Sequence, residues 1–161
     1  MKIVVLLSQK GGTGKSTIAT HLAVCAARQG QAVALFDIDP QASAAQWSDR
    51  RAAEGPPVVR AGAVHLPHLV QQARTQGADI ILIDTAGHAD ASSLHAVQLA
   101  DLILIPCRPS AADLDAIEDT IALAQRAHRG KRPWSSMPRR GAGIWLRMPA
   151  PRLARVCPSP R

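Results

Sequence analysis

The sequence predicts a doubly wound α/β fold, a mostly parallel sheet with helices on both faces. Two observations carry that reading. Apolar runs of strand length recur at Ile3–Leu7, Ala32–Phe36, Ile80–Ile83 and Leu102–Ile105, and stretches of helical spacing lie between them. The core must also be built from Ala, Val, Ile and Leu, because the chain has one Phe, three Trp and no Tyr. Such residues suit a sheet buried on both faces.

In chain order, Ile3–Leu7 is the first strand. A helix follows, with Ile18, Leu22, Cys25 and Ala26 as its apolar stripe and Gly30 as its stop. After the second strand, Leu66, Leu69, Val70 and Ala73 mark another helix that ends before Gly77. His65 and His68 are three apart, yet Pro67 between them indicates a helix start and not a metal clip. The last helix is Ala111–His128, striped by Leu114, Ile117, Ile121 and Leu123. Strand–helix alternation with right-handed crossovers makes one parallel sheet, and ligands of such sheets bind beyond the carboxyl ends of the strands.

Three of the four strands run into a loop of functional character. The first enters Lys10-Gly11-Gly12-Thr13-Gly14-Lys15-Ser16-Thr17, which opens a helix. Glycines there let backbone N–H groups converge on a phosphate, and the helix N-terminus adds its dipole. Lys15 would meet the β- and γ-phosphates of a nucleotide, and the Ser16 hydroxyl would ligate Mg²⁺. The second strand ends in Asp37-Ile38-Asp39-Pro40-Gln41, whose two carboxylates lie on one side of an extended segment. The third leads into Asp84-Thr85-Ala86-Gly87, where Asp84 would hold the metal through water and Gly87 would admit the γ-phosphate.

The standard phosphate loop would have glycine at position 9, where this chain has Gln9, and a second lysine stands at Lys10. In this the octapeptide resembles the deviant loop of the superfamily that includes ParA and MinD proteins and the nitrogenase iron protein. The resemblance implies a P-loop NTPase fold with ATP and Mg²⁺ as ligands, and a Lys10 that crosses a nucleotide-sandwich dimer to the partner's phosphates. Asp37-Ile38-Asp39-Pro40-Gln41 is similar to the first switch of ParA/Soj partition ATPases. By that likeness Asp39 positions the hydrolytic water, and Asp37 and Asp39 join Ser16 and Asp84 around the metal. Pro106-Cys107-Arg108-Pro109-Ser110, followed by Asp113-Leu114, is similar to a ParA segment after the fourth family strand. ParA proteins usually have Pro-Pro where Ala86-Gly87 stands here.

What the resemblance implies is an ATPase of plasmid or chromosome partition. It would form an ATP-dependent homodimer, bind DNA without sequence preference, and answer to a centromere-bound ParB-like partner in the cytoplasm at the nucleoid. A MinD-like positioning ATPase, and a truncated nucleotide-binding product without activity, are the alternatives. The first needs a C-terminal amphipathic helix to reach a membrane, and the tail shows no such stripe.

Charge divides the chain. Residues 1–130 carry eleven Lys/Arg against twelve Asp/Glu, whereas residues 131–161 carry eight Lys/Arg and no acid. The net charge of +7 therefore belongs to the tail, which also holds six of the twelve prolines. The expected boundaries are a nucleotide-binding domain over 1–130 and a basic, poorly ordered Pro/Arg-rich tail over 131–161, without helical or strand periodicity. The architecture demands another apolar strand near residue 133. Reading the codons there one nucleotide back permits Ala-Val-Val-Leu-Asn-Ala, so the expectation is a reading frame lost between Arg129 and Arg132, with the distal part of the sheet missing. A basic linker is the alternative. Cys25, Cys107 and Cys157 lack metal-site spacing and are expected to be two buried thiols and one tail thiol.

Overall fold

A computed structural model of the chain describes residues 1–52, 54–87, 91–108, 111–127 and 144–147. Within them the order is β1 (Lys2–Leu6), α1 (Lys15–Arg28), β2 (Val33–Asp37), α2 (Ser43–Asp49), β3 (Val58–Arg60), a 3-10 turn (Ala63–His65), α3 (Leu66–Thr75), β4 (Ile80–Asp84), α4 (Ala91–Leu99), β5 (Leu102–Pro106), α5 (Ala111–Ala127) and β6 (Ile144–Arg147). The strands form one sheet in the order β3-β2-β4-β1-β5-β6. β1 pairs in parallel with both β4 and β5, and β2 with both β3 and β4. Only β6 runs antiparallel, against the outer edge of β5.

Alternation along each strand builds two cores. Ile3, Val5, Leu7, Phe36, Ile81, Ile83, Ile103 and Ile105 point to one face, where Leu66 and Val70 of α3, Val97 of α4 and Leu123 of α5 cover them. Leu6, Leu35, Leu82 and Leu104 point to the other face, against Ala19 and Ala23 of α1 and Ala44 of α2. Helices on both faces make the sheet doubly wound, as the runs of aliphatic residues predict.

The departures have physical causes. β3 is three residues long, follows Pro56-Pro57 and lies at an edge, so it carries no apolar period. α2 and α4 bury mainly alanine, serine and valine (Ala44 and Ala45, then Ser93, Ala96 and Val97), which leaves no stripe of large side chains to read. On α1 the face nearest the sheet is Ala19, Thr20 and Ala23, which lets helix and sheet approach closely. The stripe of larger residues flanks that contact, and Cys25 is consequently exposed and not buried; Cys107 is half-buried. α3 starts at Leu66 with Pro67 in its first turn, as expected from Pro67.

β6 falls in the stretch expected to lack strand character. Ile144-Trp145-Leu146-Arg147 is a short β-branched and aromatic run, and the unpaired N–H and C=O groups along the free edge of β5 accept it. Its antiparallel direction differs from that of the parallel strands before it. The proposed site of frame loss, His88, and Pro109-Ser110 of the segment after β5 lie outside the described residues. No helix among the described residues is long and apolar enough to cross a membrane.

Candidate nucleotide-binding site

The connection after β1 turns toward β2 at one side of the sheet, and the connection after β4 crosses β1 to reach β5 at the other. A crevice therefore opens where β1 and β4 end side by side, the switch point of a doubly wound sheet. Thr85, fully buried, ties the two exits together by donating its hydroxyl to the Leu6 carbonyl at 2.7 Å.

The loop after β1 is held from within. The Lys10 carbonyl accepts the Ser8 hydroxyl at 3.3 Å, the Thr13 hydroxyl at 3.4 Å and the Lys15 ammonium at 3.4 Å. Gly12 and Gly14 have φ of +72° and +90°, a left-handed backbone that residues with a Cβ adopt at a cost. α1 then begins without a side-chain cap and without an acid in its first turn. Its first N–H groups are left for an external anion, which the helix dipole also favours. Lys15 opens the helix and is only 6% exposed. Burial lowers its pKa, while the charges of Asp84 and Asp39 act the other way.

Gly87 shows why glycine is needed at the β4 exit. A Cβ built there would lie 2.9 Å from both Cα and N of Gly11 and 3.2 Å from the Lys10 carbonyl carbon. The two loops thus touch backbone to backbone. A Cβ on Gly11 or Gly14 would meet nothing within 4 Å, so open space lies over the loop itself.

Asp84 closes β4 at 0% exposure, and neither of its carboxylate oxygens has a hydrogen-bond partner of adequate geometry. Burial pushes its pKa up to about 7, opposed by the nearby Ser16 hydroxyl and the Lys15 charge and reinforced by Asp37 and Asp39. A buried carboxylate so poorly provided with donors is costly unless a cation completes it. Its position beside Ser16 and Lys15 suits a hard divalent ion such as Mg²⁺, which takes oxygen donors.

The two switch carboxylates are used differently. Asp37 is buried and accepts two backbone N–H groups, from Asp39 at 3.1 Å and from Ala45 at 2.9 Å. It braces the turn and the first turn of α2; burial nevertheless raises its pKa against those bonds. Asp39 accepts the Gln41 N–H at 2.9 Å and lies partly exposed, within electrostatic reach of Lys15 and Asp84. Between this turn and α2, Ala42 has φ of +49°, an uncommon conformation for a residue with a Cβ.

Lys10, Gly11, Gly12, Thr13, Gly14, Lys15, Ser16 and Thr17 therefore form one loop and helix start, facing Asp84 and Gly87 from β4 and Asp39 from β2. Three further residues, to which the sequence assigns no role, contact these loops or the strand that leads into them. Thr85 links β4 to β1, and Thr120 of α5 accepts the Gln9 N–H at 3.2 Å. Arg108, after β5, comes close to Gly12. Only tertiary contact marks Thr120, which lies 111 positions from its partner.

A model of the CobQ/CobB/MinD/ParA nucleotide binding domain matches residues 4–137. The chain belongs to this family. Similar relatives include the maintenance of carboxysome distribution protein A of Gloeobacter kilaueensis, 35% identical over 123 residues covering 74% of this chain and 55% of the relative. The protein ParA of Rhizobium radiobacter is 36% identical over 116 residues, covering 70% of this chain and 51% of the relative. The chain spans about half the length of these curated relatives. Among solved structures, cobyrinic acid a,c-diamide synthase from Mycobacterium smegmatis with an ATP analogue and magnesium superposes with a TM-score of 0.66 at 16% identity, covering 81% of this chain and 69% of that one. That likeness shows a shared fold.

Proposed function

We propose that this chain is the nucleotide-binding part of a ParA-type partition ATPase that binds and hydrolyses MgATP. The observation that carries the reading is Asp84: a buried carboxylate with both oxygens unpartnered, placed beside Lys15 and Ser16 at the crevice between β1 and β4. Gly11, Gly12, Thr13 and Gly14 supply the backbone cradle, and Ser16 and Thr17 supply the uncapped start of α1. Lys15 neutralises the β- and γ-phosphates. Ser16 and Asp84, with Asp39 close by, would hold Mg²⁺, which would screen the charge of the phosphates. Asp37, expected among the metal group, acts by bracing the switch turn that carries Asp39. Asp39 orients the water that bonds to the terminal phosphorus as the bond to ADP breaks. Gly87 lets the backbone of the β4 exit approach the terminal phosphate.

Dimerisation through Lys10, nonspecific DNA binding, a ParB-like partner and residence at the nucleoid belong to the same proposal, supported by the relative named ParA. Another relative is named for the maintenance of carboxysome distribution.

Equilibrium titration with a fluorescent ATP analogue and steady-state hydrolysis test the reading. Lys15→Ala removes a charge-assisted phosphate contact worth about 1.5 to 3 kcal/mol, about tenfold to a hundredfold in affinity. Asp39→Ala retains binding and loses turnover, because a water-orienting carboxylate acts on the transition state. Unchanged affinity in Lys15→Ala removes the loop assignment, and unchanged turnover in Asp39→Ala removes the switch role.

A further inference from the structure

We propose that Arg108 is a nucleotide-contacting residue that grips the terminal phosphate from the loop after β5, a specificity device that favours ATP over ADP. The inference rests on the nucleotide reading above and adds a residue to that site. β5 is hydrogen-bonded beside β1 up to the phosphate loop, with the Leu7 N–H donating to the Leu104 carbonyl at 2.8 Å. The chain leaving β5 at Pro106 thus emerges next to the chain leaving β1. Two residues on, the Arg108 guanidinium reaches back over the loop, and its Nη1 lies 3.9 Å from the point a Gly12 Cβ would occupy. Gly12 has left-handed φ and no side chain, so nothing of its own separates the guanidinium from the cradle.

Position decides which phosphate is meant. Ser16, in the first turn of α1, serves the inner part of the cradle. Gly11 and Gly12 form its other half, the half packed against Gly87 of the β4 exit. A phosphate at that end is the terminal one. Arg108 stands at that end of the cradle and the positive end of α1 at the other, so a phosphate chain laid along the loop meets positive charge at both. Arginine suits the place better than lysine, since its planar fork can donate two parallel N–H groups to phosphate oxygens.

The full 161-residue chain is titrated with fluorescent analogues of a nonhydrolysable ATP and of ADP, in Mg²⁺, for the parent, Arg108→Gln, Arg108→Lys and Lys15→Ala. Arg108→Gln is expected to weaken ATP binding about tenfold and ADP binding less than about twofold, with Arg108→Lys between it and the parent. Melting without nucleotide, measured for each variant, shows that the fold is retained. Equal losses for ATP and ADP, or no loss for either, overturn the assignment. If Lys15→Ala also binds as the parent does, the nucleotide reading itself fails; if Lys15→Ala is impaired while both Arg108 variants are normal, only the role of Arg108 falls.

Discussion

At the scale of the residue, Asp84 concentrates the chemistry. Its folded pKa of about 7 lies above the ordinary carboxylate range, chiefly through burial, so the metal-free protein holds a proton that the unfolded chain has released. Linkage then fixes the sign: between about pH 4 and 7 the native state binds more protons, and its stability falls as pH rises. Thermal midpoints in chelator-containing buffer should therefore decline across that window. Asp84→Asn should flatten the decline, leaving the smaller slope of Asp37, which burial raises in the same direction. An undiminished slope in the variant would place the titrating group elsewhere. Asp84 was legible in the sequence as an acid closing an apolar strand. That neither oxygen has a partner was not, because the hydrogen bonds of a buried group depend on residues distant along the chain.

At the scale of the element, α5 braces the phosphate loop. Thr120 is 1% exposed and accepts the Gln9 N–H, at the position where the standard loop would have glycine. Thr120→Val keeps the shape and removes that acceptor. Gln9 is half-buried, so water compensates only in part, and the expected cost is about 1 kcal/mol. Thermal melting should register this as a fall of several degrees, together with weaker nucleotide binding through a loosened loop. A variant with parental midpoint and affinity would show that α5 supports the sheet alone. Helical periodicity marked α5 by Ile117, Ile121 and Leu123; it could not mark Thr120, a polar residue within that helix. Small-residue helices escaped for a related reason, since α2 and α4 bury alanine and serine where close approach to the sheet, not side-chain size, makes the contact.

At the scale of the whole molecule, charge is segregated: residues 131–161 carry eight Lys/Arg and no acid. A run of that kind binds any polyanion through counterion release. The affinity of the full chain for nonspecific duplex should fall with salt by up to about 0.9 log units per log unit for each phosphate neutralised, equally in ADP and ATP. Replacing Arg139 and Arg140 with Gln should lower that slope and leave MgATP binding intact. A slope that responds to ATP in the parent, and not to these substitutions, would assign DNA affinity to residues 1–130. Sequence by itself determined the doubly wound class, the phosphate loop and the acids that end β2 and β4, since periodicity and glycine spacing are local and survive without coordinates. Tertiary structure alone decided the rest: Gly87 against Gly11, Asp37 as a brace, the exposure of Cys25, β6 on the edge of β5, and Arg108 over Gly12. Gly87 against Gly11, β6 on β5 and Arg108 over Gly12 are contacts between segments far apart in the chain, and strand order, which brings the ends of β1, β4 and β5 side by side, is a property of the packed sheet and of no single segment.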